Sequence, residues 1–105
     1  MNQYSIVLVN LDPTIGSEIK KTRPCLILSP DEINRYLKTI IVAPMTTNLK
    51  KYPTRIQVKH NNKRGMVAID QIRTIDKSRI IKKFDQLTKS EIKKCKDIIR
   101  ETFVD

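Results

Sequence analysis

Residues 39–72 carry the clearest strand pattern in the chain: TIIVAPMTTNLKKYPTRIQVKHNNKRGMVAIDQI. The first five, 39–43, are apolar and mostly β-branched, which is typical of a short buried strand, and Pro44 is expected to end it. Residues 45–53 are largely polar and end in a second proline, so we expect a loop. The stretch therefore begins with a buried strand that leads directly into a polar loop.

Two more strands, joined by a tight turn, are predicted in the second half of this stretch. Polar and apolar residues alternate over 54–59, with Ile56 and Val58 on one face. The sequence NNKRG at 61–65 is typical of a turn, and residues 66–72 are apolar enough for another strand. The centre of the chain is therefore β-rich.

The N-terminal part predicts two strands and a short helix. Residues 4–10 and 24–28 are apolar, whereas 12–23 contains proline and glycine without a periodic apolar pattern and predicts a long loop. A helix is expected over 30–36, with Ser29 as its N-cap and a proline at its first position. These elements precede the β-rich centre.

The C-terminal part predicts one strand and a longer helix. A tight turn at 76–78 precedes a strand over 79–84. Thr88 and Glu91 have the spacing of a capping box, and apolar residues recur at helical intervals over 90–103. Five or six short strands, one inserted helix and one terminal amphipathic helix predict a mainly β fold, a small, curled and partly closed barrel.

The length and the charge limit the possible functions. A chain of 105 residues is expected to be one domain, residues 1–105, with a core but no deep pocket for a large organic cofactor. Its net charge is +10, and residues 49–105 hold sixteen basic and seven acidic side chains. This charge suits a polyanion, an acidic protein or a membrane surface. Because no apolar run approaches ~20 residues and no signal peptide is evident, we expect a cytoplasmic protein with no membrane partner.

The sequence offers few groups for metal, redox or triad chemistry. Cys25 and Cys95 are far apart in apolar surroundings, so we expect two buried, reduced thiols. The one histidine, His60, lies in a polar turn and is predicted to be solvated there. Without clustered metal ligands or a phosphate-binding glycine motif, we expect no metal and no cofactor. Most enzyme classes are thereby excluded.

Five polar residues lie at the ends of predicted strands or interrupt one of them: Arg23, Thr46, Thr47, Asp70 and Gln71. Rigid strands can aim such side chains into a groove. Each residue also has a plain structural explanation, such as an ion pair between Asp70 and Arg73. The residue pattern alone leaves both explanations open.

Four segments together resemble the MazF/PemK family, the toxin halves of bacterial toxin–antitoxin pairs. They are DPTIGSEIKKTRPCLILSP at 12–30, IVAPMTT at 41–47, YPTRI at 52–56 and MVAIDQIRTIDKSRI at 66–80, and the resemblance extends from about Tyr4 to the end. It implies an SH3-like barrel that forms a homodimer and cuts single-stranded RNA at short sequences without metal. It also implies attack by the RNA's own 2′-hydroxyl, leaving a 2′,3′-cyclic phosphate and a 5′-hydroxyl.

The same resemblance implies roles for two residues and a protein partner. Arg23 matches the family's essential arginine, whose planar fork can hold two phosphate oxygens, and Thr46 matches the essential threonine. Because arginine is a poor proton donor at neutral pH, we expect Arg23 to act as an electrostatic clamp. A cognate antitoxin with an acidic segment is expected to block the RNA site. Free toxin would inhibit translation and growth.

The resemblance leaves two carboxylates as candidates for the general base. Glu18 matches a family carboxylate, and Asp70 matches the aspartate proposed as base in the PemK branch. That branch has an arginine where this chain has Ala68 and a histidine where it has Ser17. These differences favour the MazF arrangement over Asp70 as the base.

RNA contacts are expected from two loops and from one residue of the predicted strand at 66–72. The loop at 12–21 is expected to close over RNA. The amides of Asn48 and Gln71 would read base edges, and basic side chains would meet phosphates. The expected RNA-binding residues are Ser17, Lys20, Lys21, Thr47, Asn48, Lys50, Lys51 and Gln71. Arg55 is expected to contact phosphate as well.

Three hypotheses about the function follow. The first is the endoribonuclease toxin described above. The second is a non-catalytic toxin of the same architecture, similar to CcdB, which binds a topoisomerase. The third is a plain basic RNA-binding barrel. Arg23 and Thr46 in their family contexts favour the first, because a pure protein binder would not require them.

With three tyrosines, two phenylalanines and no tryptophan, no base-stacking platform is evident, which favours hydrogen-bond recognition of the RNA.

Overall fold

The computed structural model describes residues 2–19 and 21–104. In these residues the strands are β1 (Ser5–Asn10), β2 (Thr22–Ile27), β3 (Thr39–Thr46), β4 (Arg55–His60), β5 (Lys63–Ala68), β6 (Arg73–Asp76) and β7 (Ile80–Gln86). The α-helices are α1 (Asp31–Tyr36) and α2 (Lys89–Ile99). Short 3-10 turns occupy Ile69–Gln71 and Lys77–Arg79, and a π-helical turn, Arg100–Val104, follows α2.

The strands form one antiparallel sheet in the order β4-β5-β3-β2-β1-β7, and β6 pairs with β3. The two end strands curl towards each other. His60 at the end of β4 meets Phe84 of β7 edge-on, with ring centroids 4.6 Å apart. The predicted mainly β fold with a partly closed barrel is therefore confirmed.

Both faces of the central strands are buried. Successive side chains of a strand point to opposite faces, and successive residues of β1, β2 and β3 divide between two apolar clusters. One cluster is covered by α2 and contains Ile6, Leu26 and Ala43. The other contains their neighbours Val7 and Cys25. This double burial explains why these strands are apolar runs and do not alternate.

The two cysteines lie one in each cluster, and both are free thiols. Burial raises the pKa of Cys25 to about 12 and that of Cys95 to about 11. The prediction of two buried, unpaired thiols is confirmed. Because the thiolate is the reactive form, both side chains act as small apolar core residues near neutral pH.

The start of α1 differs from the prediction. Its N-cap is Pro30, which makes no side-chain cap hydrogen bond. Ser29 instead donates to the side chain of Asn34 and accepts the backbone N–H of Ile41 at 3.1 Å. Ser29 and Asn34 are both buried, so their polar groups need protein partners. The expected N-cap therefore serves as a tie between α1 and β3.

Two predicted strand ends are also wrong. Pro44 lies inside β3, which continues to Thr46. On the side of β3 that faces β6 and β5, the pairing with β6 ends at Val42 and the pairing with β5 begins at Met45. Pro44 lies between them, so no strand on that side requires its missing amide hydrogen. The strand predicted over 66–72 ends at Ala68, where a 3-10 turn redirects the chain into β6.

The terminal helix begins as predicted and is fixed to the barrel by one carboxylate. Thr88 and Glu91 form a reciprocal capping box. Glu91 Oε1 accepts the backbone N–H of Thr88, and Oε2 accepts the backbone N–H of Lys59 in β4, both at 2.9 Å. None of the helices in residues 2–19 and 21–104 is long and apolar enough to cross a membrane.

Substitution of Glu91 by alanine should destabilise the fold. It removes two hydrogen bonds to backbone N–H groups, so we expect the free energy of unfolding to fall by ~1–2 kcal/mol. Urea denaturation followed by circular dichroism measures this change. Glu101→Ala, an exposed position in the π-helical turn, is the control and should change stability much less. Equal stabilities of the two variants would contradict the role given to Glu91.

Candidate functional site

A basic groove lies where β2, β3 and β7 meet the β4–β5 hairpin. It has a volume of about 260 Å³. We call it the Arg23 groove, and its lining residues are Arg23, Pro24, Met45, Thr46, Thr47, His60, Asn61, Lys63, Arg64, Gly65 and Phe84. Every element that contributes to it belongs to the curled sheet or to its turns, so the sheet itself shapes the groove.

Strand pairing brings Arg23 and Thr46 together. β2 pairs with β3 so that Cys25 faces Pro44, and the same register continued by two residues puts Arg23 opposite Thr46. Both side chains are half-buried. The hydroxyl oxygen of Thr46 accepts the backbone N–H of Asn48 at 3.2 Å, which orients the side chain and leaves its O–H hydrogen to donate to a ligand. Thr47 follows, exposed, at the rim of the groove.

The charge of the Arg23 groove is of one sign. Arg23, Lys63 and Arg64 line it, and its described lining includes no carboxylate. Positive groups that line one groove attract an anion, and arginine can hold two oxygens of a phosphate at once. The groove is therefore suited to bind a phosphate group against hydroxyl and guanidinium donors.

His60 is not the solvated turn residue that was predicted. It is the last residue of β4, is half-buried and lines the Arg23 groove against Phe84. Burial lowers its pKa below the ordinary value, so the imidazole is mainly neutral at pH 7. The sequence did contain the signal, because His60 continues the alternation of Ile56 and Val58 on the inner face of the strand.

The predicted carboxylates line a different cavity of about 340 Å³, which we call the loop cavity. Its lining residues are Ser17, Glu18, Ile19, Pro44, Asp70, Gln71, Ile72 and Arg73. β3 separates it from the Arg23 groove, since Pro44 lines one and Met45 and Thr46 line the other. The structure thus divides the candidate site residues into two neighbouring groups.

Asp70 already has partners. Its Oδ1 lies 3.4 Å from Nε of Arg55 and accepts the hydroxyl of Thr54 at 3.1 Å. The ion pair with Arg73 that the sequence allowed is therefore replaced by one with Arg55. The Arg55 guanidinium also stacks over the ring of Tyr52 at 4.8 Å, which leaves this arginine less available for phosphate than we expected.

The loop between β1 and β2 is fixed at several points. Gln71 accepts the backbone N–H of Ile19 at 2.8 Å, and Arg73 donates to the carbonyl of Leu11 at 3.0 Å. Glu18 is exposed, and its Oε1 accepts the N–H of Ile15 at 2.6 Å. Gln71 therefore positions the loop through its carbonyl oxygen, and this bond does not use the donors of its amide NH2.

The other expected RNA contacts lie on exposed loops. Ser17 and Lys21 are exposed in the β1–β2 loop, and Lys20 lies outside the described residues. After β3, Asn48 Oδ1 accepts the N–H of Lys50 at 3.0 Å, which folds the loop into a turn. The Lys50 ammonium lies 5.3 Å from the ring centroid of Tyr52. The expected contact residues in this loop are all exposed: Thr47, Asn48, Lys50 and Lys51.

No cluster of three or more histidine, cysteine, aspartate or glutamate side chains that could hold a metal ion occurs within residues 2–19 and 21–104. The side chains that line the Arg23 groove offer guanidinium, ammonium, hydroxyl, amide and imidazole groups.

The fold and the groove define a small antiparallel half-barrel with an anion-attracting site at one end of its longest strand. The family described as PemK-like, MazF-like toxin of type II toxin–antitoxin systems matches residues 2–103. The chain belongs to this family. It is 32% identical to Endoribonuclease MazF of Staphylococcus saprophyticus, over 94% of this chain and 88% of that protein.

Solved structures show the same fold. MazF from Deinococcus radiodurans superposes with a TM-score of 0.85 at 23% identity, covering 96% of this chain and 94% of that one. A mycobacterial endoribonuclease, in a structure with its cognate antitoxin, superposes with a TM-score of 0.81 at 19% identity, covering 96% and 92%. The structural similarities show the fold of the chain, and the sequence match shows its family.

Proposed function

We propose that this protein is an endoribonuclease toxin that cleaves single-stranded RNA in the Arg23 groove and thereby inhibits translation and growth. One observation carries the proposal: strand register gathers Arg23 and Thr46 into a groove that is basic and free of carboxylates among its described lining. The sequence likeness to an endoribonuclease supports it independently. A toxin that only binds protein would not need this donor arrangement.

The reaction uses the RNA's own 2′-oxygen as nucleophile. This oxygen bonds to the adjacent phosphorus, the bond from phosphorus to the 5′-oxygen breaks, and the leaving 5′-oxygen takes a proton from water. The products carry a 2′,3′-cyclic phosphate and a 5′-hydroxyl. Negative charge grows on the phosphorane oxygens between these steps. Arg23 holds two of these oxygens and Thr46 donates its hydroxyl hydrogen to one, because preorganised donors stabilise charge that develops in the transition state.

The proton of the 2′-hydroxyl passes to a base, and Glu18 is the carboxylate assigned this role. It is exposed on the β1–β2 loop and lines the loop cavity, so this role requires the loop to carry it across β3 to the Arg23 groove when RNA binds. Asp70 is paired with Arg55 and bonded to Thr54, so it acts as a support for the neighbouring loop. Arg23 keeps its proton throughout, because a guanidinium is far too weak an acid at neutral pH.

RNA contacts outside the reacting phosphate come from the two flanking loops. Ser17, Lys20 and Lys21 in the first loop, and Thr47, Asn48, Lys50 and Lys51 in the second, contact the strand on either side. Gln71 reads a base edge with the amide hydrogens that its bond to Ile19 does not use. The single-stranded substrate suits such contacts, because its bases expose their Watson–Crick edges.

Cleavage should persist in excess EDTA. An internal nucleophile and a guanidinium clamp need no metal, so the purified protein should cut a long single-stranded RNA under chelation. Sequencing of the ends should find a 2′,3′-cyclic phosphate, and the same RNA with a 2′-deoxy residue 5′ to the scissile bond should survive. Scission of the deoxy substrate would disprove the internal-nucleophile mechanism.

Arg23→Lys should lose most of the cleavage rate while keeping RNA binding. Lysine retains the charge but lacks the fork, so we expect the single-turnover rate to fall ~100-fold or more, as for removal of one preorganised donor. Arg35→Lys on the exposed face of α1 is the matched control and should cleave like the wild type. Wild-type turnover in Arg23→Lys would refute the clamp.

The protein is further proposed to be a cytoplasmic homodimer that a cognate antitoxin neutralises through an acidic segment. A likeness supports the partner, since a Deinococcus radiodurans structure described as MazE-MazF superposes on this chain. The positive charge of this chain supports an acidic segment in the partner. A groove that attracts phosphates also attracts carboxylates, and residues 49–105 carry nine more basic than acidic side chains.

Association with the antitoxin should be steered by charge. We expect the on-rate to fall steeply as salt rises from ~50 to ~500 mM, whereas the off-rate, set by apolar anchors, changes much less. Stopped-flow kinetics of the purified pair measure both rates. An on-rate independent of salt would show that the basic surface serves RNA alone.

A further inference from the structure

Two aromatic rings form a corner inside the Arg23 groove. The imidazole of His60 and the ring of Phe84 lie 4.6 Å apart at an interplanar angle of 63°, and both residues line the groove. Each is half-buried and therefore held in place while remaining partly accessible. The Lys82 ammonium lies 5.4 Å from the Phe84 ring centroid and fixes that ring from a third side.

The floor beside this corner is apolar as well. Pro24 and Met45 line the same groove as the two rings and the donors Arg23 and Thr46. Gly65 lies against this floor, since a Cβ at that position would lie 3.2 Å from Cε of Met45. A flat apolar wall thus adjoins the phosphate-binding groups within a single groove.

A nucleotide has this combination of chemistry. Its base is a flat ring with apolar faces, and it is joined to anionic phosphates. The corner offers faces and edges to the base, whereas Lys63 and Arg64 on the neighbouring strand offer charge to the backbone. A carboxylate-rich peptide would satisfy the cations, but it does not repeat a flat ring beside each anionic group as RNA does. The groove therefore favours unpaired RNA over an acidic peptide.

We propose that His60 and Phe84 form a nucleobase subsite that holds one unpaired base beside the phosphate bound by Arg23 and Thr46. This inference rests on the proposed RNA cleavage. Asn61 completes the subsite. It follows His60 in the β4–β5 turn with a φ of 52°, and it lines the same groove, so its amide supplies both a donor and an acceptor to the base edge.

Neutral imidazole is the form that suits this role. Burial lowers the pKa of His60, so at pH 7 the ring packs against a base without adding a charge next to Lys63 and Arg64. Stacking of a base on an aromatic side chain adds affinity that tolerates any base sequence. The subsite therefore adds recognition of the base to a groove whose charges recognise only the backbone.

The test separates the base from the backbone. The probes are a single-stranded 2′-O-methyl RNA, which cannot be cut because its 2′-oxygen carries no proton, and a chain of equal length with abasic sugars. Phe84→Leu keeps an apolar side chain but removes the flat ring. We expect it to bind the 2′-O-methyl RNA about tenfold more weakly by fluorescence anisotropy and to bind the abasic chain like the wild type.

Two further variants make the result specific. Tyr36→Leu removes an aromatic ring that is 80% exposed on α1, away from the groove, and should bind both probes like the wild type. His60→Gln removes the other ring of the corner while keeping a polar side chain. It should reproduce the base-dependent loss, and it keeps the proposal testable if Phe84→Leu is poorly folded by circular dichroism.

Each alternative result overturns the subsite. Equal losses of affinity for both probes would show that the two rings contact the RNA backbone and not a base. Unchanged affinity in both variants would show that the rings have no role in RNA binding. Weaker binding of the acidic antitoxin alone would make the corner a protein site. Cleavage of unmodified RNA by the wild-type protein is measured in parallel. If the wild type cuts RNA while the variants show no base-dependent loss, the subsite fails and the proposed function stands.

Discussion

β3 is the strand on which the rest of the structure depends, because it hydrogen-bonds to three others. β2 lies along one side, and β6 and then β5 lie along the other. At Pro44 the partner of β3 changes from β6 to β5, and β5 forms a hairpin with β4 that no longer follows β6. This change of partner bends the sheet. Curling of the sheet then brings the ends of β4 and β7 together. The groove exists because of that curvature.

The same strand explains why the polar site can be rigid. Thr46 is the last residue of an eight-residue strand whose preceding residues, from Val42 to Met45, are buried, so its position is fixed by the core. Arg23 is held by the adjacent strand, two residues before the buried Cys25. The two residues proposed to bind phosphate extend from a double-sided core, so little conformational entropy would be lost when a ligand binds. The loops, which carry the other candidate contacts, lack this support.

Much of the fold could be predicted because its signals are local. The β-branched runs of β1 and β3 and the capping box at Thr88 depend on neighbouring residues, and all three are present. The errors arose where a distant partner decides the outcome. Ser29 bonds to Asn34 and to Ile41 of β3 and does not cap the start of its helix, and Pro44 is accepted within a strand because two other strands exchange places there. No local pattern records such pairings.

The candidate site shows the same limit. Sequence context placed Arg23 and Thr46 at strand ends, and the register unites them, but the carboxylates at Glu18 and Asp70 line the loop cavity on the other side of β3. The aromatic corner was missed altogether, because His60 and Phe84 are remote in sequence and meet only when the sheet curls. A scarcity of aromatic residues does not exclude a stacking surface when the fold brings two of them together.

The carboxylate of Glu91 also affects how molecules of this protein meet one another. β4 is one end of the sheet, and an unpaired end strand is a template to which a strand from another chain can add. Glu91 occupies the Lys59 N–H on that strand, and α2 packs beside it. At the opposite end, β7 presents the exposed Lys82 and Lys83, whose charges repel a second copy of themselves. Each end strand of the sheet thus carries a feature that disfavours the addition of a strand from another copy of the chain.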